Sequence, residues 1–337
     1  MGQIGNLPLA IMNLIFLGTP EFAVPTLEAL LAADHKILQV VTQPDRPKGR
    51  KQVLEPSPVK IAALRHNLTV WQPEKIRQAD SVAHLRALSP EAMVIVGYGQ
   101  IIPQSIIDIA PLGIINVHAS LLPELRGAAP IQWSIARGYQ KTGVTTMRID
   151  AGLDTGDIAL KWETPVDPEE TAPVLSPRLA AAGADLLLKT LDGLANGTVK
   201  PVRQDSTHAT WAPILKKEDG RIDWTLPAQT IHNLIRGLQP WPGAYTMFRG
   251  QSLHLWRSRL VASRWDLAPG ALVTGPCTEW EQNGTARAGG IFAVAGDGSA
   301  LELLELQLEG RKRMPAGVFA NGHMLNNGIT NIEQLGK

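Results

Sequence analysis

Apolar runs alternate with amphipathic stretches from residue 13 to residue 118. Residues 13–18 (NLIFLG) form a short apolar run that stops at Gly18-Thr19-Pro20, and Phe22, Val24, Leu27, Leu30 and Leu31 follow at helical spacing. Strand, turn and helix are expected in that order. The pattern then predicts a strand at 37–41, a helix at 58–65, a short strand at 68–71, a helix at 81–88 and a strand at 92–97 (AMVIVG). Strands that are apolar throughout are buried on both faces, and their alternation with helices predicts a doubly wound, mostly parallel, Rossmann-like sheet. The run 113–118 (GIINVH) differs by ending in polar residues. Ligands of open α/β sheets gather at the carboxyl ends of strands, so chemistry is sought there.

Further strands are expected at 144–149 and 158–163 and a long helix at 172–194. Residues 196–215, with Pro201 and Pro213, suit a connection between domains. The pattern changes after a helix at 228–238. Short runs at 251–260, 270–274, 290–295 and 301–308, with turn signals such as Gly296-Asp297-Gly298, predict a small OB-like β-barrel. The expected organisation is a catalytic domain at 12–195, a linker at 196–215 and a barrel domain at 216–325.

Composition narrows the class. A chain of 337 residues that is 44% apolar fills two cores. Lys and Arg number 18 against 19 Asp and Glu over residues 1–200, and 14 against 12 over 201–337, so any nucleic-acid contact must come from local patches. The lone cysteine, Cys277, excludes an internal disulfide framework and an all-cysteine zinc site. No apolar run approaches the ~20 residues of a membrane-spanning helix. The stretch before Met12 lacks the features of a secretory signal and of an Arg- and Ser-rich leader, and reads as a short extension or as preceding the true start. A cytoplasmic protein without membrane association is expected.

The candidate chemistry begins at the polar strand end. Alternation puts Asn116 and His118 on one side of the strand with Val117 on the other. Ser120-Leu121-Leu122-Pro123 follows, then Arg126-Gly127 and Pro130, leading into a helix at 131–136. Further on, Gly152-Leu153-Asp154-Thr155-Gly156-Asp157 is a glycine-punctuated loop that can fold over the strand end and hydrogen-bond Asp154 to His118. An amide, an imidazole and a carboxylate serve acyl transfer to an amine: donors for the developing oxyanion, and groups that move protons off the attacking nitrogen and onto the leaving one. Taken alone, Asn-x-His at a strand end is more often a structural hydrogen-bonding pair, and the Gly-Leu-Asp-Thr-Gly loop a plain turn.

Asn116-x-His118-x-Ser120-Leu-Leu-Pro-x-x-Arg-Gly, with Gly152-Leu-Asp154-Thr-Gly-Asp placing the carboxylate 36 positions after the histidine, resembles the signature of enzymes that use 10-formyltetrahydrofolate. The likeness continues in Gly18-Thr-Pro-Glu-Phe-Ala, Thr42-Gln-Pro-Asp-Arg-Pro, Pro56-Ser-Pro-Val-Lys60, Gly97-Tyr-Gly-Gln-Ile-Ile-Pro103, Ile222-Asp-Trp224 and Pro240-Trp-Pro-Gly243. Together these resemble the methionyl-tRNA formyltransferase family over residues 12–320. The resemblance implies that Asn116 and His118 polarise the formyl oxygen and stabilise a tetrahedral intermediate, while Asp154 orients His118 and relays protons. It implies that Ser120, Leu121, Leu122 and Pro123 contact the folate, and that the loop from Gly97 to Pro103, with Tyr98 and Gly99, walls the pterin. Its further implications are 10-formyltetrahydrofolate as co-substrate, no metal, initiator methionyl-tRNA as partner and a monomeric enzyme.

Between the second strand and the 58–65 helix lies a long loop whose stretch from Pro44 to Lys60 carries Arg46, Lys48, Arg50, Lys51 and Lys60 against Asp45 and Glu55. This local excess of positive charge can grip an RNA end, and it resembles the loop by which the family engages the acceptor stem. A solvated charged loop is the plain alternative. Formyl transfer to an amino-sugar nucleotide, or to water in a formyl-folate hydrolase, uses the same three residues but needs neither the basic loop nor a second domain. A dinucleotide oxidoreductase fits poorly, because Gly18-Thr-Pro-Glu-Phe lacks the glycines of G-x-G-x-x-G.

Overall fold

The computed structural model describes residues 11–48, 53–275, 290–325 and 333–336. Cys277 lies outside them. The chain divides into two compact units. The first takes the residues up to Pro130, Lys141–Pro165 and Ser176–Pro213; the second takes Ile131–Gln140, Val166–Leu175 and the residues from Ile214 onward. Two stretches from within the expected 12–195 span thus belong with the second unit.

The first unit is built on a seven-stranded sheet in the order Ile158–Pro165, Lys141–Arg148, Ile114–His118, Ala92–Val96, Asn13–Gly18, Lys36–Val41, Val70–Trp71. The last five are mutually parallel, and Lys141–Arg148 runs antiparallel to both of its neighbours. The sheet is therefore mostly parallel, in a mixed α/β unit. Ala92–Val96, apolar throughout, and Ile114–His118, with its polar Asn116 and His118, are buried at every position, whereas Ile158–Pro165 at the edge buries only Thr164. One core layer gathers Leu17, Met93, Ile95 and Ile114 from the strands with Leu85, Ile102 and Ile106. The helix Pro58–Arg65 has the bounds its sequence predicts, because the Ser57 side chain accepts from the Lys60 amide and proline opens the first turn.

Two expectations change. The basic stretch read as a loop contains a two-stranded antiparallel ribbon, Arg46–Lys48 against Val53–Glu55, with Arg46 opposite Glu55 and Lys48 opposite Val53. Arg46-Pro47-Lys48 is charged around a proline and Val53-Leu54-Glu55 is only three residues long, so neither carries an apolar alternation to read. Residues 196–213, expected as a connection, belong to the body of the first unit: Val202 bridges to Ile158, and Trp211–Ala212 pairs in parallel with Arg126–Gly127.

The second unit holds a curled antiparallel sheet ordered Ala244–Phe248, Gln251–Arg264, Ser299–Leu308, Gly290–Val294, Ala271–Gly275, Glu333–Gln334. Register shifts in Gln251–Arg264 bend it into a half-barrel. Its concave side buries Phe248, Leu253, Leu255, Leu301 and Leu303 with Phe319, and the helix Ala228–Gly237 adds Ile231 and Ile235. Leu335 donates to the Gly270 carbonyl and Gly336 to that of Met247, so residues past position 325 link the two ends of the sheet. Among the described residues no helix is long and apolar enough to cross a membrane.

Candidate active site

The carboxyl ends of the parallel strands meet at one edge of the first sheet. Thr19 Oγ1 and Gln43 Nε2, just past the ends of Asn13–Gly18 and Lys36–Val41, donate to the Tyr98 carbonyl at 3.0 and 3.2 Å. Gly97 and Gly99 flank Tyr98 with φ of 56° and 88°, a left-handed conformation that favours glycine, and a Cβ on Gly97 would stand 2.9 Å from Pro20. The Tyr98 ring is buried, its hydroxyl has no hydrogen-bond partner among the described residues, and desolvation pushes the phenol's pKa upward. What this turn can offer a ligand is its backbone.

Asn116 and His118 end their strand on one face and are 8% and 6% exposed. His118 Nε2 lies 3.0 Å from the Leu125 carbonyl oxygen. A carbonyl only accepts, so Nε2 carries a proton and Nδ1 is the nitrogen left for chemistry. Asp154 Oδ2 stands 3.7 Å from Nδ1. That is ion-pair distance and longer than the expected hydrogen bond. The same oxygen accepts instead from the Gly127 amide at 2.8 Å. The side-chain amide of Asn116 makes no hydrogen bond among the described residues, which leaves its N–H groups for a ligand.

The loop that follows is held from within. Ser120 is fully buried and donates to the Glu124 carbonyl at 2.6 Å; Thr145 Oγ1 donates to the Ser120 carbonyl at 2.7 Å and accepts from the Leu122 amide at 3.1 Å. Leu122 is buried too, so within 120–123 only Leu121 and Pro123 keep side-chain exposure. The Ser120 hydroxyl is spent on the loop's own backbone. Leu125 adopts φ 56°, unusual for a bulky residue, and this conformation carries the carbonyl that fixes His118.

Sequence reasoning missed the residues that brace these groups. Thr210 Oγ1 accepts from the Leu125 amide at 2.8 Å, and its carbonyl accepts from the Arg126 amide at 2.9 Å. Gln204 Nε2 donates to the carbonyls of Asp154 and Gly156 at 2.8 Å each, and its Oε1 accepts from Arg126 Nε and Nη2 at 3.2 and 2.8 Å. No spacing announced them, since the partners lie 48 to 85 positions apart. Polarity within a supposed linker was the only signal.

The ribbon uses part of its charge internally. Lys60 Nζ pairs with Asp45 Oδ2 at 2.6 Å, and Gln72 Nε2 donates to Asp45 Oδ1 at 2.8 Å, which together hold the Asp45 carboxyl below the usual range. Lys60 is therefore an anchor and not part of the free basic excess. Arg46 sits 3.4 Å from Glu74, with both side chains well exposed, a pairing that costs little to exchange for a phosphate. Lys48 is on the ribbon, though its side chain is not described; Arg50 and Lys51 fall outside the described residues.

A mostly parallel sheet with an amide, an imidazole and a carboxylate at its carboxyl edge is the frame of a group-transfer enzyme working without a side-chain nucleophile. The family profile described as formyl transferase matches residues 12–191 and that of the formyl transferase C-terminal domain matches 214–324, so the chain belongs to the formyl transferase family. Its relatives include the methionyl-tRNA formyltransferase of Solibacter usitatus, 59% identical over 97% of this chain and 99% of the relative, and that of Koribacter versatilis, 54% identical over 94% and 97%. Within the family it therefore falls among the methionyl-tRNA formyltransferases. Solved structures with the same fold include HypX from Aquifex aeolicus in complex with tetrahydrofolic acid, at TM-score 0.62 and 14% identity over 96% of this chain and 51% of that one. Another is WlaRD, a sugar 3N-formyl transferase, at TM-score 0.63 and 20% identity over 90% and 99%.

Proposed function

We infer that this chain transfers the formyl group of 10-formyltetrahydrofolate to the amino group of methionine on initiator methionyl-tRNA, giving N-formylmethionyl-tRNA for translation initiation. Nearly full-length identity to methionyl-tRNA formyltransferases supports the acceptor. The observation that carries the chemistry is the buried strand end where the Asn116 amide has no partner among the described residues and Asp154 stands 3.7 Å from His118 Nδ1.

The methionine nitrogen attacks the formyl carbon, and the carbonyl oxygen gathers negative charge. Asn116 Nδ2–H and His118 Nδ1–H are the donors for that oxygen, in a water-poor setting where such donors count most. Asp154 balances the imidazolium and takes the proton released by the amine, directly or through water. The new C–N bond forms, the bond to the folate nitrogen breaks, and the proton returns to that nitrogen. Backbone at Gly97, Tyr98 and Gly99 and the exposed parts of Leu121 and Pro123 line the folate, with Ser120 and Leu122 holding the loop's shape. Arg46, Lys48, Arg50 and Lys51 grip the acceptor end, and the second unit, read as an OB-like barrel, extends the tRNA contact. The reading is of a monomeric cytoplasmic enzyme that needs no metal.

Transfer of labelled formyl to charged initiator methionyl-tRNA tests this beside elongator methionyl-tRNA, an amino-sugar nucleotide and water. Rapid formylation of the initiator species is expected. Formylation of the sugar, or hydrolysis, without it overturns the acceptor.

A further inference from the structure

Gln204 is 6% exposed and spends its whole amide on two clients. Both N–H groups go to carbonyls of the loop that carries the carboxylate, Asp154 O and Gly156 O, and the oxygen goes to the guanidinium of buried Arg126. An amide side chain offers two donors and one oxygen with two lone pairs, so none of its capacity is left over.

The clients converge on the proton-transfer pair. Asp154 has φ 53°, and Gln204 bonds the carbonyl of that same residue. Position 156 accepts only glycine, because a Cβ there would collide with the Arg148 carbonyl. Arg126 is followed by Gly127, whose amide fixes Asp154 Oδ2, and preceded by Leu125, whose carbonyl fixes His118 Nε2. Gln204 thus ties the loop bearing Asp154 to the segment that orients both Asp154 and His118.

We propose that Gln204 is a positioning residue for formyl transfer, setting the separation of Asp154 from His118 by clamping the 154–156 carbonyls to Arg126. Glutamine suits the place chemically. Glutamate keeps acceptors for Arg126 but replaces the one nitrogen that carries both donors with an oxygen facing two carbonyl oxygens, and methionine fills the volume while leaving a buried guanidinium short of acceptors. The inference rests on the formyl-transfer reading above.

The test is Gln204→Glu in the full chain, assayed for formylation of initiator methionyl-tRNA alone and in an Asp154→Asn background. Because Arg126 retains its partner, the variant is expected to fold with a lowered thermal midpoint, from two carbonyls that lose their donor, and with a KM for the tRNA near wild type. The kcat is expected to fall about 10²-fold, the size of effect that follows a small misplacement of catalytic groups. In the Asp154→Asn background the further loss is expected to be less than about twofold, since a residue acting through Asp154 has nothing left to position. Wild-type kcat in Gln204→Glu, or the same fold-loss in both backgrounds, overturns the proposal. Should Gln204→Glu fail to fold, the pair Arg126→Met with Gln204→Met removes the buried charge along with the clamp, and an undiminished kcat in it is equally fatal. A wild-type chain that does not formylate the tRNA at all refutes the functional reading instead.

Discussion

Asp154→Asn separates the carboxylate's charge from its shape. The asparagine oxygen can still accept the Gly127 amide that Asp154 Oδ2 takes at 2.8 Å, so the loop should keep its course and the thermal midpoint should hold. What disappears is a negative charge 3.7 Å from His118 Nδ1, between side chains that are only 7% and 13% exposed. At an effective dielectric of about 20, a unit charge pair at that separation is worth on the order of 4 kcal/mol, and screening is weak at such exposure. Each ~1.4 kcal/mol is tenfold in rate, so kcat should fall by about 10² to 10³ once reorganisation has recovered part of the loss. The variant also loses the base that receives the amine's proton. Single-turnover formylation of initiator methionyl-tRNA at saturating 10-formyltetrahydrofolate reads the chemical step directly. A rate within a few-fold of wild type, in a variant with unchanged melting, would show that the carboxylate at this distance neither stabilises the imidazolium nor carries the proton.

Asn116→Ala and His118→Ala should each lower kcat by about 10² or more with folate binding retained, as read by steady-state kinetics beside ligand fluorescence; turnover preserved in either removes its role. Replacing Arg46, Lys48, Arg50 and Lys51 together with alanine should weaken tRNA binding and flatten its dependence on salt, and a filter-binding titration with the wild-type slope would mean the ribbon does not hold phosphate. Burial holds the pKa values of His35 and His232 below the ordinary imidazole range; the neutral rings accept from the Met12 amide and pair with Ser258 Oγ, respectively. Their unfolded pKa is about 6.5, so the unfolded chain binds more protons below it: stability should be full above that pH and decline as pH falls through it, and denaturant midpoints flat from pH 7.5 to 5.5 would contradict this.

The parts of this molecule that were legible in the sequence are those whose determinants are local. The helix Pro58–Arg65 is fixed by Ser57 at its cap and proline in its first turn, and its bounds could be read residue by residue. Asn116 and His118 share a face because strand alternation is a property of neighbours, and the apolar run ahead of them set the strand. The ribbon Arg46–Lys48 with Val53–Glu55 and the strand Ala244–Phe248 escaped notice, the first for want of apolar alternation and the second because it follows directly on Pro240-Trp241-Pro242-Gly243. Burial of the Tyr98 ring, and of the Ser120 hydroxyl on the Glu124 carbonyl, could not be read from the loop sequence.

What could not be read is the long-range bracing, and it explains why the supposed linker matters. The His118 imidazole is oriented by a backbone carbonyl, and that carbonyl belongs to a leucine in a left-handed conformation costing on the order of 1–3 kcal/mol. Such strain persists only where the surroundings over-determine the backbone. Here they are Thr210, bonded to the Leu125 and Arg126 amides, and Trp211–Ala212, paired with Arg126–Gly127. A Cβ on Gly127 would come within 2.5 Å of the Ala212 carbonyl, so that close approach requires glycine. The stretch from Val202 to Ala212 therefore acts as a strap across the first unit, and the hydrogen bonds it gives offset the strain that aims the Leu125 carbonyl at His118. Polar residues that look like solvent-facing linker in sequence are, in the fold, the partners of buried backbone groups that have no other way to be satisfied.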